Sequence, residues 1–227
     1  MVKPRKTKPN LSRERVLDAA IALADAQGIA NLSMRKLAQS LRVEAMSLYN
    51  HVANKEALLL AMQERVAESY YHPQAGGDWR AEMRQRAIRA HEVLIAHPWA
   101  SQLMVSKVNT APAILGYVDA TIGCLTAAGF SYPMADAAWN AVDSHIYGHT
   151  MQALNFPFEP DEYAQVAADY TPELPPEIYP NLRGMSDAVM SGAHDGLTPF
   201  TFGLDILLDG LEEMRAAQVQ RPADIAP

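Results

Sequence analysis

The chain has 227 residues, 49% apolar and 20% charged, which is enough to build a sizeable core and too apolar for an intrinsically disordered segment. Its one cysteine, Cys124, rules out an internal disulfide and suits a reducing cytosol, and the apolar run around it marks a small buried side chain. No apolar run reaches the ~18 residues of a membrane span, and the basic N-terminus lacks the apolar stretch of a secretory signal, so a cytoplasmic protein with no membrane partner is expected. The net charge of −7 is uneven: residues 1–55 hold ten Lys/Arg against four Asp/Glu (+6), and residues 56–227 hold nine against twenty-two (−13). A basic first quarter on an acidic body attracts polyanions at one end and repels them elsewhere.

In chain order, residues 1–10 read as a basic flexible arm. Ser12 is placed to cap a first helix with Val16, Leu17, Ala20, Leu23 and Ala24 on one face, and Gly28 ends it. Ser33 caps a short helix to about residue 40, a tight connection follows through 41–43, and a second short helix spans about 44–51. Asn54 caps a longer helix, 55–71, with the apolar stripe Leu58, Leu59, Met62 and Val66. After the break HPQAGG at 72–77, helices are expected at 78–96 (stopped by Pro98), 111–128, 133–155 and 198–217, with Pro133 and Pro199 in first turns. Residues 156–180 are proline-rich and read as a loop crossover with one short helix near 162–169. No strand-like alternation occurs, so the predicted class is all-α.

The pair of short helices at 33–51 has the dimensions of a helix-turn-helix. Leu37, Ala38, Leu41, Val43, Leu48 and Val52 supply a small core. The other face then presents Glu44, Ala45, Met46, Ser47, Asn50 and His51, as a helix lying in the DNA major groove requires. Arg35, Tyr49, His51 and Lys55 are placed to meet phosphates, and the N–H groups opening the helix after Asn54 favour an anion.

The run LSMRKLAQSLRVEAMSLYNHVANKEALL, and within it RKLA, Val43 and LYNHVANKEALL, is similar to the DNA-binding domain of the tetracycline-repressor (TetR) family. The segments AAGFS (127–131) and FTFGLDILLDGLE (200–212) resemble the C-terminal domain of the branch nearest the tetracycline repressor. The resemblance implies an all-helical homodimer that binds a palindromic operator in double-stranded DNA and leaves it on binding a small molecule. By position it implies DNA contacts from Arg35, Ala45, Met46, Ser47, Tyr49, Asn50, His51 and Lys55. Two departures stand out. The turn usually held by glycine is Arg42, which visits the needed conformation with strain or reaches a phosphate. Ala45 and Met46 are apolar, suited to thymine methyls and unable to form bidentate base contacts.

The expected domains are the helix-turn-helix over 11–55, continuing into the 55–71 helix, a ligand-binding and dimerisation domain over 72–217, and a flexible tail over 218–227. For dimerisation, Phe200, Leu204, Leu207, Leu211 and Met214 form a heptad-like seam, with Gly203 and Gly210 permitting close approach. Ala138, Ala141, His145, Gly148 and Gln152 form a small-residue row on the preceding long helix, so two helices from each subunit make a four-helix bundle.

Trp99, Met104, Tyr117, Trp139 and Tyr147 are candidate lining residues of a mostly apolar effector pocket, with Asp143, His145 and His149 as polar anchors. Tetracycline-binding relatives hold the drug's magnesium with a histidine where this chain reads Leu103-Met104-Val105, so a mostly apolar or aromatic effector is expected. His145 and His149, one helical turn apart, leave a metal-sensing regulator as an alternative reading, and a helical interaction protein that binds no DNA is another. With no GxSxG sequence and no glycine-rich phosphate loop, neither an enzyme nor a cofactor is expected.

Overall fold

The computed structural model describes residues 11–106, 110–157, 162–193 and 198–219. The expected basic arm, and the expected tail from residue 220, lie outside the described residues. Those residues contain eleven α-helices, two 3₁₀ turns and no strand: α1 (Arg13–Gln27), α2 (Met34–Leu41), α3 (Ala45–Leu48), α4 (Lys55–Ala67), α5 (Trp79–Ala96), α6 (Pro98–Ser106), α7 (Pro112–Ala127), α8 (Tyr132–Leu154), α9 (Tyr163–Tyr170), α10 (Pro180–Met190) and α11 (Phe200–Val219).

Capping sets the starts. Ser12 Oγ accepts from the Arg15 N–H at 3.3 Å, Ser33 Oγ from Lys36 at 3.3 Å, and Asn54 Oδ1 from Ala57 at 2.8 Å. Asp78 and Ser131 do the same for α5 and α8. Each satisfies a donor that the first turn cannot pair internally.

Several boundaries differ from the sequence expectation. α4 ends at Ala67, because the N–H groups of Ser69 and Tyr70 bond three residues back and tighten the chain into a turn. Pro98 opens α6 as well as stopping α5, and Pro180 opens α10 inside the expected crossover. A proline whose missing N–H is not needed at a first helical position starts a helix as readily as it ends one. Helix α11 continues through residue 218 to Val219.

One continuous buried cluster runs from Val16 in α1 to Leu211 in α11. α1, α2 and α3 close the small N-terminal unit, and α4 packs on α1, α6 and α7. α5 lies centrally against α6, α7, α8 and α11, and α9 packs on α10. Helix α11 is fastened to the start of α5 by Arg80–Asp209 (2.7 Å), Arg84–Asp205 (2.8 Å) and the Trp79 indole N–H on Glu212 (3.0 Å).

This packing corrects the expected dimer seam. Phe200, Leu204, Leu208 and Leu211 are buried within the protomer against α5 and α8, so Leu204 and Leu211 are not available to a second subunit. Ala138 is fully buried as well, and Gly203 faces His145 of its own chain. A helix two-sided in apolar character gives one stripe to its own core. The stripe left outside on α11 carries Phe202 (61% exposed) and Ile206 (57%), beside half-buried Leu207 and Gly210. On α8 the open row is Ala137, Asn140, Ser144 and Gly148, flanked by half-buried Ala141.

Candidate nucleic-acid interface and effector-domain polar core

At the N-terminal end, Leu37, Ala38, Leu48 and Val52 are buried and hold α2 against α3. The turn between them is closed at Arg42, the only non-glycine residue with positive φ among those described (φ 57°, ψ 45°). The N–H of Val43 donates to the Ala38 carbonyl at 3.0 Å and that of Arg42 to Gln39 at 3.1 Å, a Schellman-type closure. The regular part of α3 is one turn, and the chain winds on through His51, whose N–H donates to Leu48 at 2.9 Å.

Of the sequence-derived contact residues, Arg35, Arg42, Met46 (75% exposed), Tyr49, Asn50 and Lys55 are exposed, and Ala45, Ser47 and His51 are half-buried. Met46, Tyr49 and Asn50 face solvent beside the buried Leu48, while Ala45 packs against the core. The exposed members are a short run of polar, aromatic and thioether groups, with the cations Arg35, Arg42 and Lys55 exposed nearby in sequence.

The candidate effector residues fall into separate groups. Trp99 is buried at the start of α6, where its indole N–H donates to Asp25 Oδ1 at 2.6 Å. The same oxygen is 2.9 Å from His97 Nδ1, so Asp25 joins α1 to the α5–α6 corner. Met104 is half-buried on α6, and Trp139 is half-buried on α8 with a buried indole nitrogen that has no partner.

Tyr117, Asp143 and Tyr147 belong to a polar cluster centred on Arg86, which the sequence reading missed. Arg86 is fully buried; its Nε donates to Thr121 Oγ1 at 3.0 Å and its Nη2 to Asp143 Oδ1 at 2.6 Å. Its guanidinium carbon lies 4.7 Å from the centre of the Tyr117 ring, which in turn packs 4.9 Å from Tyr70. Burial holds the Tyr70, Tyr117 and Tyr147 phenols well above the usual tyrosine range, and the Asp143 charge adds to the rise at each. All three are neutral near pH 7. A sequence signal for Arg86 existed: it sits among Met83, Ala87, Ala90 and Leu94 on the buried face of α5, where a charge has no business without a partner.

His145 and His149 meet the third group. Their Nε2 atoms bond the backbone carbonyls of Phe200 (2.8 Å) and Thr198 (3.1 Å), and both rings contact the Phe200 ring. His91, on α5, stacks on the other side of Phe200 at 4.2 Å and bonds Thr150 through Nδ1 at 2.8 Å. Burial, and then His149 and His145, lower the His91 pKa. These histidines therefore fasten the start of α11 to α8 and α5. The metal-sensing alternative finds no group of three or more metal-ligating side chains among the described residues.

Comparison with known proteins agrees with this geometry. Residues 16–62 match the family described as bacterial regulatory proteins, tetR family, and residues 72–215 match the tetracyclin repressor-like C-terminal domain. The chain belongs to the TetR family. It is a helix-turn-helix transcriptional regulator, a DNA- and ligand-binding class rather than an enzyme class, with a tetracycline-repressor-like C-terminal domain. The transcriptional repressor DrrR1 of Streptomyces coeruleorubidus is 29% identical, over 98% of this chain and 84% of that protein. The class D tetracycline repressor of Escherichia coli is 31% identical, over 92% of this chain and 93% of that protein. Apo ActR of Streptomyces coelicolor shares the fold at a TM-score of 0.76 and 23% identity, covering 92% and 98% of the two chains.

Proposed function

We propose that this TetR-family chain is a repressor that binds a palindromic operator in double-stranded DNA as a cytoplasmic homodimer and leaves it on binding a small, mostly apolar or aromatic effector. The observation that carries the reading is the exposed run of Met46, Tyr49 and Asn50 with half-buried Ala45, Ser47 and His51. In this reading those residues meet base edges and adjacent phosphates, while Arg35, Arg42 and Lys55 pair with phosphates. Residues 11–55 form the reader and 72–217 the effector and dimerisation domain, with the helix after Asn54 between them.

The open α8 row and the Phe202–Ile206 face of α11 supply the dimer contact, since small residues on one helix admit apolar ones from the other. A dimer doubles the area read by one small reader. Repressor relatives support the direction of regulation. Solved neighbours are described with actinorhodin, with minocycline and with operator DNA, which supports a ligand-released DNA binder. Leu103, Met104 and Val105 offer no histidine for a drug-bound magnesium, which favours a metal-free effector. The effector binds one of two dimer conformations better and weakens DNA binding by linkage.

Selection of bound sequences from a random duplex pool tests this. An enriched palindrome is expected from the native chain. Ile206→Glu, which places a charge on the exposed α11 face, is expected to give monomers by sedimentation and lose the palindrome. No enrichment, or dimers unaffected by the charge, counts against the reading.

A further inference from the structure

We propose that His91, His145 and His149, gathered about the Phe200 ring, form an acid-sensitive latch. Uncharged, they hold the start of α11 on α5 and α8, and proton uptake releases it. Resting on the reading of the chain as a homodimer that meets through α8 and α11, that release weakens the dimer.

The geometry fixes where the protons sit. A carbonyl only accepts, so Nε2 of His145 donates to Phe200 at 2.8 Å and Nε2 of His149 to Thr198 at 3.1 Å. The Thr150 hydroxyl donates to the Ile146 carbonyl at 2.6 Å, so its oxygen accepts from Nδ1 of His91 at 2.8 Å. Each imidazole thus makes its bond with the single proton of its neutral form. Nδ1 of His149 is buried and has no partner. A second proton there would be a buried donor with nothing to accept it.

The surroundings oppose added charge. The His149 ring lies 5.4 Å from His91 and 5.6 Å from His145, and like charges that close repel. His145 and His149 also bond the chain where α11 opens, and a 20-residue helix carries the positive end of its dipole there. The Phe200 ring stacked on His91 at 4.2 Å attracts a cation, but burial outweighs that attraction. Burial first, then His149 and His145, hold the His91 pKa below the ordinary histidine value. Glu92 acts the other way, from an exposed position shared with Arg89. On α8, Asp143 is committed to Arg86, and the first charged side chain of α11, Asp205, is committed to Arg84 of α5. A group whose pKa is lowered by docking leaves docking intact above the ordinary histidine value of about 6.5, and docking weakens as pH falls below it.

The release is confined to the start of the helix. Farther along, Arg84–Asp205, Arg80–Asp209 and Trp79–Glu212 grip α11 without a histidine. Bonds from Arg84 and Arg215 lower the pKa values of Asp205 and Glu212, so those two ties persist in mild acid. Phe202, 61% exposed on the outward face, lies in the turn that is released.

Hydrogen exchange and sedimentation of the full chain between about pH 7.5 and about pH 5.5 test the latch. The amides of residues 204–206 pair with carbonyls of the first turn. After correction for the intrinsic pH dependence, their exchange is expected to rise about tenfold in acid relative to residues 211–215, and the dimer dissociation constant to rise about as much. The double variant His91→Asn with His149→Gln keeps an amide donor where each imidazole donates and takes up no proton. It is expected to flatten both responses. A flat exchange ratio in the native chain, or an acid response that the double variant retains, overturns the latch. The native-chain exchange decides the matter if the double variant fails to fold. Acid-loosened exchange that the double variant abolishes, with dimers intact throughout, upholds the latch and overturns Phe202 as a dimer contact. Acid dissociation without loosened exchange does the reverse.

Discussion

Position 42 shows how far a single residue can be read in advance. Its place in the turn demands a left-handed backbone, and the sequence there offers arginine rather than glycine. The structure keeps the turn and accepts the conformation, which costs an L-residue about 1–2 kcal/mol. Part of that strain is offset because arginine gives the unfolded chain less freedom than glycine. Arg42→Gly is therefore expected to raise stability by about 0.5 kcal/mol, measured by urea unfolding. If the exposed guanidinium reaches a phosphate, the same change lowers operator affinity and reduces the salt-dependence slope by about one. An unchanged slope would remove Arg42 from the contact set. Arg86 was not legible in the same way. Its charge stands out only once the neighbouring face of α5 is known to be buried, and burial of that face was itself an inference from pattern.

Helix α11 illustrates what periodicity can and cannot say about an element. The heptad-like row predicted an apolar face, and apolar faces exist, but the helix has two of them. Periodicity gives the angle between residues and says nothing about which neighbour covers each side. The small residue at 203 was read as a place where another helix comes close. It is one, and the close group is the imidazole of His145 in the same chain. A β-carbon at Gly203 would lie 2.6 Å from His145 Cε1, a ring atom fixed by the bond to Phe200. Gly203→Ala is thus expected to destabilise by about 1–2 kcal/mol despite the better helix propensity of alanine. Adding His145→Ala should recover most of the propensity gain. Gly210→Ala, with nothing within 4 Å of its β-carbon, should not destabilise. Urea unfolding of the three variants beside the native chain checks this, and equal effects at 203 and 210 would refute it.

In the whole molecule, the two halves share one core, and Asp25 is a polar link across it. It accepts from Trp99 and lies against His97, so α1 of the reader is tied to the corner from which α6 starts. The bond is only part-buried, with Asp25 itself exposed, so it contributes about 1 kcal/mol, enough to bias two conformations of comparable energy. Trp99→Phe keeps the ring and removes the donor. It is expected to leave operator affinity within about threefold of native and to reduce effector-driven release about fivefold, on the scale of typical coupling energies. Operator titrations with and without the effector measure both, and an undiminished release would show that coupling runs through α4 alone.

The amino-acid order by itself determined the local steps: where helices begin, because Ser12, Ser33, Asn54 and Asp78 are side chains that can pair the first N–H groups. It also determined the reader, because one stretch of about thirty residues carries both its small core and its exposed face. That stretch carried most of the family resemblance, with two shorter C-terminal segments beside it. The tertiary structure decided which of two apolar stripes on α11 becomes core, and which prolines open helices instead of ending them. It also decided that Arg86, Tyr70, Tyr117 and Asp143, from the end of α4 and from α5, α7 and α8, meet in one place. Such choices depend on contacts between residues tens of positions apart, whose energies no local pattern encodes.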